Sequence, residues 1–489
     1  MFKRVVRIVL VAIVVLVAAV GLNTLRHGSR QVAAVPVPPV AVDEKGAADR
    51  LGAAIRFKTI SSYDDSLQNA EEFLKLHSFL ETSYPGTHAA LTREQIGLSL
   101  LYKWAGTDSS LAPIMLMAHQ DVVPISPGTE NDWKADPFGG EQKDGFIWGR
   151  GAWDDKGNLI AQLEAIELLA ANGFKPKRTI YLTFGADEET SGERGAGRIA
   201  ALLKSREVKL EFIIDEGLLI TEGILPGLKP AAALIGVAEK GYLSVKLKTT
   251  ATPGHSSMPQ PKGENAIAKL SVVLSRLENE QMSGSIQGVA REMFETVAPE
   301  ISGFNRVALS NLWLLGPIVG SQLEKASGTN AMLRTTTALT VVQAGNKDNV
   351  IPGMAEATVN FRLLPGDTKE DVLRHVKSKI GADSVEVTAL GFSSEASPVS
   401  STSSPSYQLI NRTVRSLYPG TIVAPGLMVG ATDSRYFTGL TSNIFRFSPV
   451  RATQADLARF HGVNERIASA NLVDLIRFYH EVLRAGAMN

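Results

Sequence analysis

Three continuous apolar runs, separated by helical patterns, constrain the fold of this chain more than any other feature. The runs are PIMLMAH (113–119), TIYLTF (179–184) and EFIIDEG (211–217). Such runs are typical of strands buried on both faces, and residues 154–173 between the first two repeat apolar positions at helical spacing. The alternation of strand and helix predicts an α/β fold, with a mostly parallel sheet and helices on both of its faces.

A second pattern begins near Glu239, where apolar and polar residues alternate as they do in strands with one solvated face. The strands and helices predicted here are 241–250, 263–278, 335–343, 356–364, 368–380 and 385–390. Their order, β-α-β-β-α-β, predicts a ferredoxin-like α+β domain at 239–392, inserted between two parts of the larger domain, 43–238 and 393–489. Residues 280–330 form an additional segment for which the pattern gives no position. A chain of 489 residues also exceeds the size that one hydrophobic core organises.

The N-terminal segment has the features of a signal anchor or a signal peptide. Three basic residues precede an apolar run from Ile8 to Leu22, which spans roughly 22 Å as a helix. The sequence VPVPPVAV (35–42) then predicts a stiff, extended spacer. We expect residues 1–42 to anchor the protein in a membrane, with the body outside the cytoplasm. The alternative is a secreted protein from which the apolar segment has been cleaved.

The composition excludes several classes of function. The formal net charge is zero and the Lys and Arg residues are scattered, so the chain lacks the basic surface that nucleic-acid binding requires. The chain contains no cysteine, which excludes disulfides, thiol nucleophiles and cysteine zinc sites. Histidine and carboxylate side chains are therefore the ligands that remain for a metal ion.

Histidines and carboxylates lie at or just beyond the carboxyl ends of the predicted strands. His119 and Asp121 end the first apolar run, and FGADEETSG (184–192) ends the second on three consecutive acids. Asp154 and Asp155 directly precede a helical pattern. Two further candidates lie in IIDEG and FHGVNE, namely Asp215 and His461.

Each of these motifs has a simpler interpretation when it is taken alone. A His-x-Asp pair occurs in surface turns, an Asp before a helix is a good N-cap, and an acidic triplet usually lies in solvent. Together, however, the motifs fall where open α/β sheets build their sites. Two histidines and several carboxylates at one sheet edge would be prohibitively unfavourable without cations. The pattern therefore predicts a site for divalent metal ions.

The same motifs identify a family resemblance. His119-x-Asp121, GRGAWDDKG, DEE, DEG and HGVNE occur in the order found in the metallopeptidase family of carnosinase, aminoacylase, succinyl-diaminopimelate desuccinylase and glutamate carboxypeptidase. The resemblance extends from about residue 45 to the end of the chain. The apolar start, the DDKG block, IIDEG and the long insert are most similar to the branch of carboxypeptidase S and the N-fatty-acyl-amino-acid hydrolases. The family resemblance implies a dizinc exopeptidase-like catalytic domain with an inserted lid domain.

The resemblance also implies a metal centre. Two zinc ions per subunit, with Co²⁺ or Mn²⁺ as substitutes, would be bridged by Asp154. His119 and Asp215 would complete the ligands of one ion, and Glu189 and His461 those of the other. A water molecule between paired metals is activated for attack on a carbonyl group.

The remaining implied roles concern catalysis and substrate binding. Glu188 would be the general base, and Asp121 would orient His119. His255, in TPGHSSMP, would stabilise the oxyanion, often across a dimer interface in this family. The implied substrate-binding residues are Asn349, Arg362, Gly430 and Thr432.

The sequence therefore predicts a zinc-dependent hydrolase for the amide bond of N-acyl amino acids, or of short peptides with a free carboxylate. A strict dipeptidase or a dedicated small-acyl deacylase is the alternative within the family, and we expect residues 280–330 to determine the size of the acyl group. A non-catalytic, membrane-tethered binder of peptides or amino acids is the alternative from another class. The family often dimerises through the inserted domain, and 280–330 could instead cover the dimerising edge and leave a monomer, so the sequence leaves both states open.

Overall fold

A computed structural model describes residues 2–64, 68–225, 227–381 and 384–488 of the protein. The strands are β1 Thr92–Ile96, β2 Ser99–Trp104, β3 Ile114–His119, β4 Glu141–Lys143, β5 Phe146–Trp148, β6 Ile180–Gly185, β7 Phe212–Thr221, β8 Ala232–Glu239, β9 Gly241–Thr250, β10 Gly254–His255, β11 Thr336–Ala344, β12 Val350–Ile351, β13 Met354–Leu363, β14 Val385–Ser394, β15 Ile422–Met428, β16 Ile444–Ala452 and β17 Arg466–Ala468. The helices are α1 Phe2–Arg26, α2 Glu44–Ile55, α3 Ala70–Ser83, α4 Pro85–Ala90, α5 Lys156–Ala171, α6 Ala196–Ser205, α7 Ala266–Asn279, α8 Gly288–Val297, α9 Gly303–Ser310, α10 Leu312–Leu323, α11 Ser327–Leu333, α12 Lys369–Ile380, α13 Pro405–Leu417, α14 Gln454–Leu457 and α15 Ser469–Gly486.

The larger domain is built on an eight-stranded sheet in the order β1-β2-β6-β3-β7-β16-β8-β15. Strand β3 runs parallel to β6 and β7, β16 is parallel to β7, and β15 is parallel to β8. Within β3, Leu116 packs into the core that contains α5 and α15, while Met115 and Met117 pack against α6 on the opposite face. Burial on both faces explains the continuous apolar runs and confirms the predicted α/β class.

The inserted domain is a four-stranded antiparallel sheet in the order β11-β13-β9-β14, with α7 and α12 packed against it. When the four strands are numbered in chain order and the sheet is read from β14, their order is 4-1-3-2, which is the ferredoxin-like arrangement. Leu243, Val245 and Leu247 of β9 are buried, and the residues between them are partly solvated. The period-two pattern of the sequence records this single buried face.

The 280–330 segment packs against the larger domain instead of covering the lid edge. Met293, Phe294 and Val297 of α8 form a core with Ile422 and Ala424 of β15, the last strand of the eight-stranded sheet. Strand β11 at the edge of the inserted domain is exposed from its third residue onward. The segment therefore leaves β11, one of the two edge strands of the inserted sheet, uncovered.

Helix α1 is the one described helix that is long and apolar enough to cross a membrane, on the evidence of length and composition alone. None of its most apolar 18-residue window is buried against the rest of the protein. An exposed apolar helix of this kind fits a signal anchor or a signal peptide.

Candidate metal centre

The candidate ligands meet at the carboxyl ends of three neighbouring strands. His119 is the last residue of β3, Glu189 follows β6 in a short 3₁₀ turn, and Glu216 is the fifth of the ten residues of β7. Asp154 lies in the loop before α5 and is joined to Asp155 by a cis peptide bond. The backbone N–H of His119 donates to Asp155 Oδ2 at 3.1 Å, which fixes this loop to the end of β3.

Two groups of side chains form around the carboxylate of Asp154. In the first group, His119 Nε2 lies 3.0 Å from Asp154 Oδ1 and 3.5 Å from Glu216 Oε1. In the second group, His461 Nε2 lies 2.7 Å from Asp154 Oδ2 and 3.1 Å from Glu189 Oε1. The potential ligand atoms within each group are less than 4.8 Å apart. Because Asp154 offers one oxygen to each group, the arrangement suits two cations that share one carboxylate.

The structure differs from the sequence prediction in β7, where it places Glu216 and not Asp215 beside His119. The two acids lie next to a register shift between β7 and β16, and Glu216, not Asp215, is grouped with His119 and Asp154. Asp215 Oδ2 accepts a hydrogen bond from the backbone N–H of Ser434 at 2.9 Å, and Oδ1 accepts one from the N–H of Glu216 at 3.0 Å. Asp215 therefore contacts the loop that contains Ser434, and Glu216 lies beside His119, where the sequence prediction placed Asp215.

The electrostatics of the centre fit a pair of cations. Burial and the charge of Asp154 raise the pKa of Glu216 to about 8. Hydrogen bonds to Asp154 and Glu189 raise the pKa of His461 to about 10. Burial by itself would lower the pKa of His119, but the surrounding carboxylates raise it well above its usual value. These shifts record an excess of negative charge in a buried site, which a divalent cation with nitrogen and oxygen ligands neutralises.

Asp121 connects His119 to the acidic turn after β6. His119 Nδ1 lies 3.0 Å from the backbone oxygen of Asp121 and 3.5 Å from its Oδ1, so Nδ1 carries the proton and Nε2 faces the centre. The Asp121 carboxylate also accepts hydrogen bonds from the backbone N–H groups of Glu188 and Glu189, at 3.2 and 3.1 Å, and from the Ser61 hydroxyl at 2.6 Å. One carboxylate thus positions ligands of both groups.

A cavity of about 560 Å³ opens at the centre and is lined by Asp154, Glu188, Glu189, Glu216 and His461. Two guanidinium groups also line it. Arg362 lies over the ring of Tyr242 at 4.7 Å, and Arg435 lies over the ring of Phe392 at 5.2 Å. The apolar part of the lining consists of Tyr63, Tyr242, Leu390, Phe392, Met428 and Phe460. The cavity therefore combines the two metal-ligand groups, two positive charges and an apolar wall.

A family model described as peptidase family M20/M25/M40 matches residues 115–485, which contain both ligand groups. The chain belongs to this family. It is 41% identical over 495 residues to a probable carboxypeptidase S-like 2 of Dictyostelium discoideum, across 99% of this chain and 94% of that relative. It is 42% identical over 394 residues to the Homo sapiens N-fatty-acyl-amino acid synthase/hydrolase PM20D1, across 79% of this chain and 76% of that relative.

Solved structures show the same fold. A crystal structure of an M20 family metallo-carboxypeptidase from Sulfolobus solfataricus superimposes with a TM-score of 0.66 at 19% identity, over 91% of this chain and 99% of that one. Human carnosine dipeptidase 1 gives a TM-score of 0.60 at 15% identity, over 92% of this chain and 100% of that one. The resemblance inferred from the motifs is confirmed, and the chain is an M20/M25/M40 hydrolase related to carboxypeptidases and N-fatty-acyl-amino acid hydrolases.

Two functional candidates in this M20/M25/M40 hydrolase were not identified from the sequence. Arg435 ends the sequence VGATDSR (429–435), which contains the predicted Gly430 and Thr432, and its Nη2 donates to the backbone oxygen of Ser191 at 2.6 Å while its guanidinium lines the cavity. Glu465 ends HGVNE and is fully buried, and its Oε2 accepts a hydrogen bond from Arg150 Nη1 at 2.6 Å. Both residues lie within motifs that the sequence already marked, so their position was a signal that could have found them.

The two predicted substrate-binding residues of the larger domain, Gly430 and Thr432, differ in whether they reach the cavity. Gly430 lines the cavity. Thr432 is fully buried and is not among the lining residues, because its N–H and hydroxyl donate to Glu239 Oε2 at 2.8 and 3.0 Å. Thr432 is therefore placed to hold the loop and not to touch a substrate.

His255 and Asn349 lie together on the inserted domain, outside the cavity lining. His255 pairs with Val350 in the short β10–β12 ladder, and the N–H of Ser256 donates to the backbone oxygen of Asn349 at 3.1 Å. His255 is exposed, and its Nδ1 lies 2.8 Å from the Ser257 hydroxyl. The chain does not bring these two predicted residues to its own metal centre.

The prediction that residues 280–330 determine the size of the acyl group is wrong as regards the wall of this cavity. Among the described residues that line it, none comes from this segment. The wall opposite the metal ligands is formed by β9, β13, β14 and the 428–435 loop instead.

Proposed function

We propose that this protein is a zinc-dependent hydrolase that cleaves the amide bond of N-acyl amino acids, or of short peptides with a free C-terminal carboxylate. The observation that carries the proposal is the pair of ligand groups that share Asp154, in one cavity with Glu188, Arg362 and Arg435. A site for a hydrolytic reaction needs water activation, a base and a means of fixing the substrate. The cavity contains candidates for all three.

His119, Asp154 and Glu216 would hold one zinc ion, and Asp154, Glu189 and His461 the other. Bound zinc ions would supply a water molecule of lowered pKa and would polarise the carbonyl group of the substrate. Co²⁺ and Mn²⁺ accept the same nitrogen and oxygen ligands and are the substitutes we expect.

Glu188 would act as the general base. It lines the cavity next to Glu189, and Asp121 fixes the backbone N–H groups of both residues. Burial and the charge of Glu216 raise the pKa of Glu188 well above its usual value, as is typical of a carboxyl group that must both accept and return a proton. Glu188 would take the proton of the attacking water and pass it to the leaving nitrogen.

Arg362 and Arg435 would bind the free carboxylate of the substrate. The guanidinium of Arg362 lies over the ring of Tyr242 and that of Arg435 over the ring of Phe392, and both side chains line the cavity. A planar guanidinium binds a carboxylate through paired hydrogen bonds. The apolar wall formed by Leu390, Met428 and other residues would then receive the acyl group or an apolar side chain.

His255 and Asn349 would act in the cavity of a second copy of the chain. Both lie on the inserted domain near its exposed edge strand, β11, where Leu339, Val341 and Val342 are between 38% and 59% exposed. An exposed apolar edge strand is suited to pairing with another strand. A symmetric dimer through β11 would bury these side chains and present His255 to the partner.

A strict dipeptidase uses the same ligands and base, so a substrate panel decides between it and an N-acyl amino acid hydrolase. A non-catalytic binder is disfavoured because each ligand position and the base are occupied by suitable residues.

We further propose that α1 is retained as a membrane anchor with the body outside the cytoplasm. The intact mass of the membrane-extracted protein distinguishes this from cleavage and secretion.

The test combines metal analysis with turnover of long-chain N-acyl amino acids, short-chain N-acyl amino acids and dipeptides. Glu188→Gln should retain both metal ions while kcat falls by about 10²- to 10⁴-fold. Glu193→Gln is the matched control, since Glu193 lies five residues further along the same turn and is exposed. Normal turnover by the Glu188→Gln enzyme would remove Glu188 as the base, and purified protein without bound metal would favour the non-catalytic binder.

A further inference from the structure

Helix α10 is apolar and has an exposed face, while Leu312 and Leu323 at its two ends pack against the core formed by α8 and β15. Its sequence is LWLLGPIVGSQL, and none of its residues is buried. Trp313 is 59% exposed and Ile318 61% exposed. A Cβ atom added at Gly316 or Gly320 would meet no atom within 4 Å, because both glycines line a cavity of about 490 Å³ that Ile286 and Arg291 also line. At 12 residues the helix is about 18 Å long, too short to span a bilayer of roughly 30 Å.

The start of α10 is joined to the last turn of α1 by hydrogen bonds. Asn311 Nδ2 donates to the Thr24 hydroxyl at 2.9 Å, and Asn23 Nδ2 donates to the backbone oxygen of Ser310 at 2.6 Å. Thr24 is buried in this contact. Because α1 has 25 residues and spans about 37 Å, its last turn would lie at the membrane surface when the helix crosses a bilayer. The contact therefore places the start of α10 at the membrane surface as well.

Basic residues surround the junction of the two helices. A cavity of about 330 Å³ between them is lined by Arg26, His27, Arg30 and Arg291, together with Trp313 and other residues. Glu295 is the acidic residue of this lining, and it contacts Arg30 at 3.0 Å and Arg291 at 2.8 Å. One carboxylate shared by two guanidinium groups leaves an excess of positive charge, which complements the phosphate groups of lipids.

We infer that α10 is a membrane-docking helix that inserts its exposed face into the surface of the bilayer from which α1 emerges. Trp313 and Ile318 would enter the boundary between head groups and acyl chains, where Trp side chains are favoured, and Arg26, Arg30 and Arg291 would contact lipid phosphates. The bilayer is the occupant to which we commit, since the anchor and the positive rim are continuous with the apolar face. The inference rests on the proposed retention of α1 but not on the proposed chemistry.

The experiment places the full chain in phosphatidylcholine–phosphatidylglycerol vesicles whose acyl chains are either brominated or unmodified. Bromine quenches tryptophan emission only within the bilayer. Of the five tryptophans, Trp104, Trp148 and Trp153 are buried in the larger domain, and Trp133 is half-buried there beside Arg150, so Trp313 should account for most of the quenching. We expect brominated lipid to lower total emission by up to about one fifth, the share of Trp313 among the five, and Trp313→Phe to abolish most of that loss.

A second variant tests insertion while Trp313 is kept. Ile318→Asp places a charge on the exposed face of α10 and should abolish the bromine quenching. Leu74→Asp, on α3 of the larger domain and 47% exposed in the wild type, should leave the quenching unchanged. Both variants should hydrolyse a soluble substrate as the wild type does, which shows that they are folded.

Three outcomes would overturn the inference. Flotation of the full chain with vesicles tests α1, and failure to float would exclude both the anchor and the docking helix. A chain that floats without quenching from Trp313 would keep the anchor and exclude docking by α10. Protection of Trp313 from acrylamide without quenching by brominated lipid would show that a second protein surface covers α10 instead of lipid.

Discussion

Replacing Glu465 with glutamine tests how the two ligand groups are held in register. Glu465 Oε1 accepts hydrogen bonds from the backbone N–H groups of Gly151, Trp153 and Asp154 at 2.9, 3.0 and 3.1 Å. Its Oε2 pairs with Arg150, which lies 2.6 Å away. Burial raises the pKa of Glu465 to about 7, but the four donors around its oxygens require the ionised carboxylate when the centre is assembled.

Arg150 completes the connection to the other ligand loop. Its Nη2 donates to the backbone oxygens of His461 and Gly462, at 3.2 and 3.1 Å. The Arg150–Glu465 pair therefore fixes the loop that carries Asp154 against the loop that carries His461. His461 also has a positive φ of 57°, so its backbone depends on the surrounding contacts to keep this conformation.

Glu465→Gln keeps the shape of the side chain but leaves the charge of Arg150 without a partner. Removing one member of a buried ion pair costs about 3–5 kcal/mol. Arg150 keeps its two carbonyl acceptors, so we expect about 3 kcal/mol, which lowers Tm by roughly 6 °C for a domain of this size. Loss of a residue that orients metal ligands lowers metal affinity by about 10- to 100-fold.

The assay measures thermal unfolding of the metal-free protein and metal affinity by competition with a chelator. Glu164→Gln is the matched control, because Glu164 is a buried carboxylate paired with Arg50 and hydrogen-bonded to Tyr84, away from the ligands. The control should lower Tm and leave metal affinity unchanged. If Glu465→Gln likewise lowered Tm but left metal affinity unchanged, the Arg150–Glu465 pair would stabilise the fold without holding the metal ligands, and the reasoning would be refuted.

The remaining predictions concern pH, substrate binding, ligand identity and assembly. In the metal-free protein, the pKa of Glu216 is raised from 4.5 to about 8 and that of His461 from 6.5 to about 10, so the folded state binds more protons than the unfolded state. Calorimetry should therefore show stability falling between about pH 5 and 10, while metal affinity, which requires deprotonated ligands, rises. Arg435→Gln should lower kcat/KM about 10- to 100-fold for N-acyl amino acids but not for their carboxamides; an equal loss for both would exclude carboxylate binding. Glu216→Gln should lose bound metal, and Asp215→Asn should retain it; the reverse result would restore Asp215 as the ligand. A mixture of inactive Glu188→Gln and His255→Gln proteins should recover about one quarter of wild-type activity if His255 acts across a dimer, and none if it acts within one chain.

The fold and most of the centre could be predicted because both depend on local patterns. Runs such as 113–119 are buried on both faces, and their carboxyl ends meet at one edge of a parallel sheet. The sequence predicts that His119, Asp154, Glu189 and His461 lie together, and the structure brings them together. His119 and Glu189 lie at or just beyond the ends of β3 and β6, while Asp154 and His461 reach the same place from loops.

Features that depend on contacts between distant segments could not be predicted in this way. The 280–330 segment has no periodic pattern that specifies its partner, and it packs on β15 by matching an apolar surface that the sequence does not reveal. The position of His255 depends equally on how the inserted domain is placed, and within one chain it lies outside the cavity. Arg435 lines the cavity only because its loop folds back beside Ser191.

Consecutive acids occur twice near the centre, and both cases have the same physical explanation. In β7, Glu216 faces His119 while Asp215 accepts the N–H of Ser434 on the other side of the strand. After β6, Asp187 turns away from Glu189 and accepts the N–H of Arg194 at 2.8 Å. In each run one acid is directed to backbone donors, while Glu216 in β7 and both Glu188 and Glu189 after β6 line the cavity. A motif such as DEG therefore marks a candidate ligand, but the local backbone of β7, and not the order of residues in the motif, decides which of the two acids faces His119.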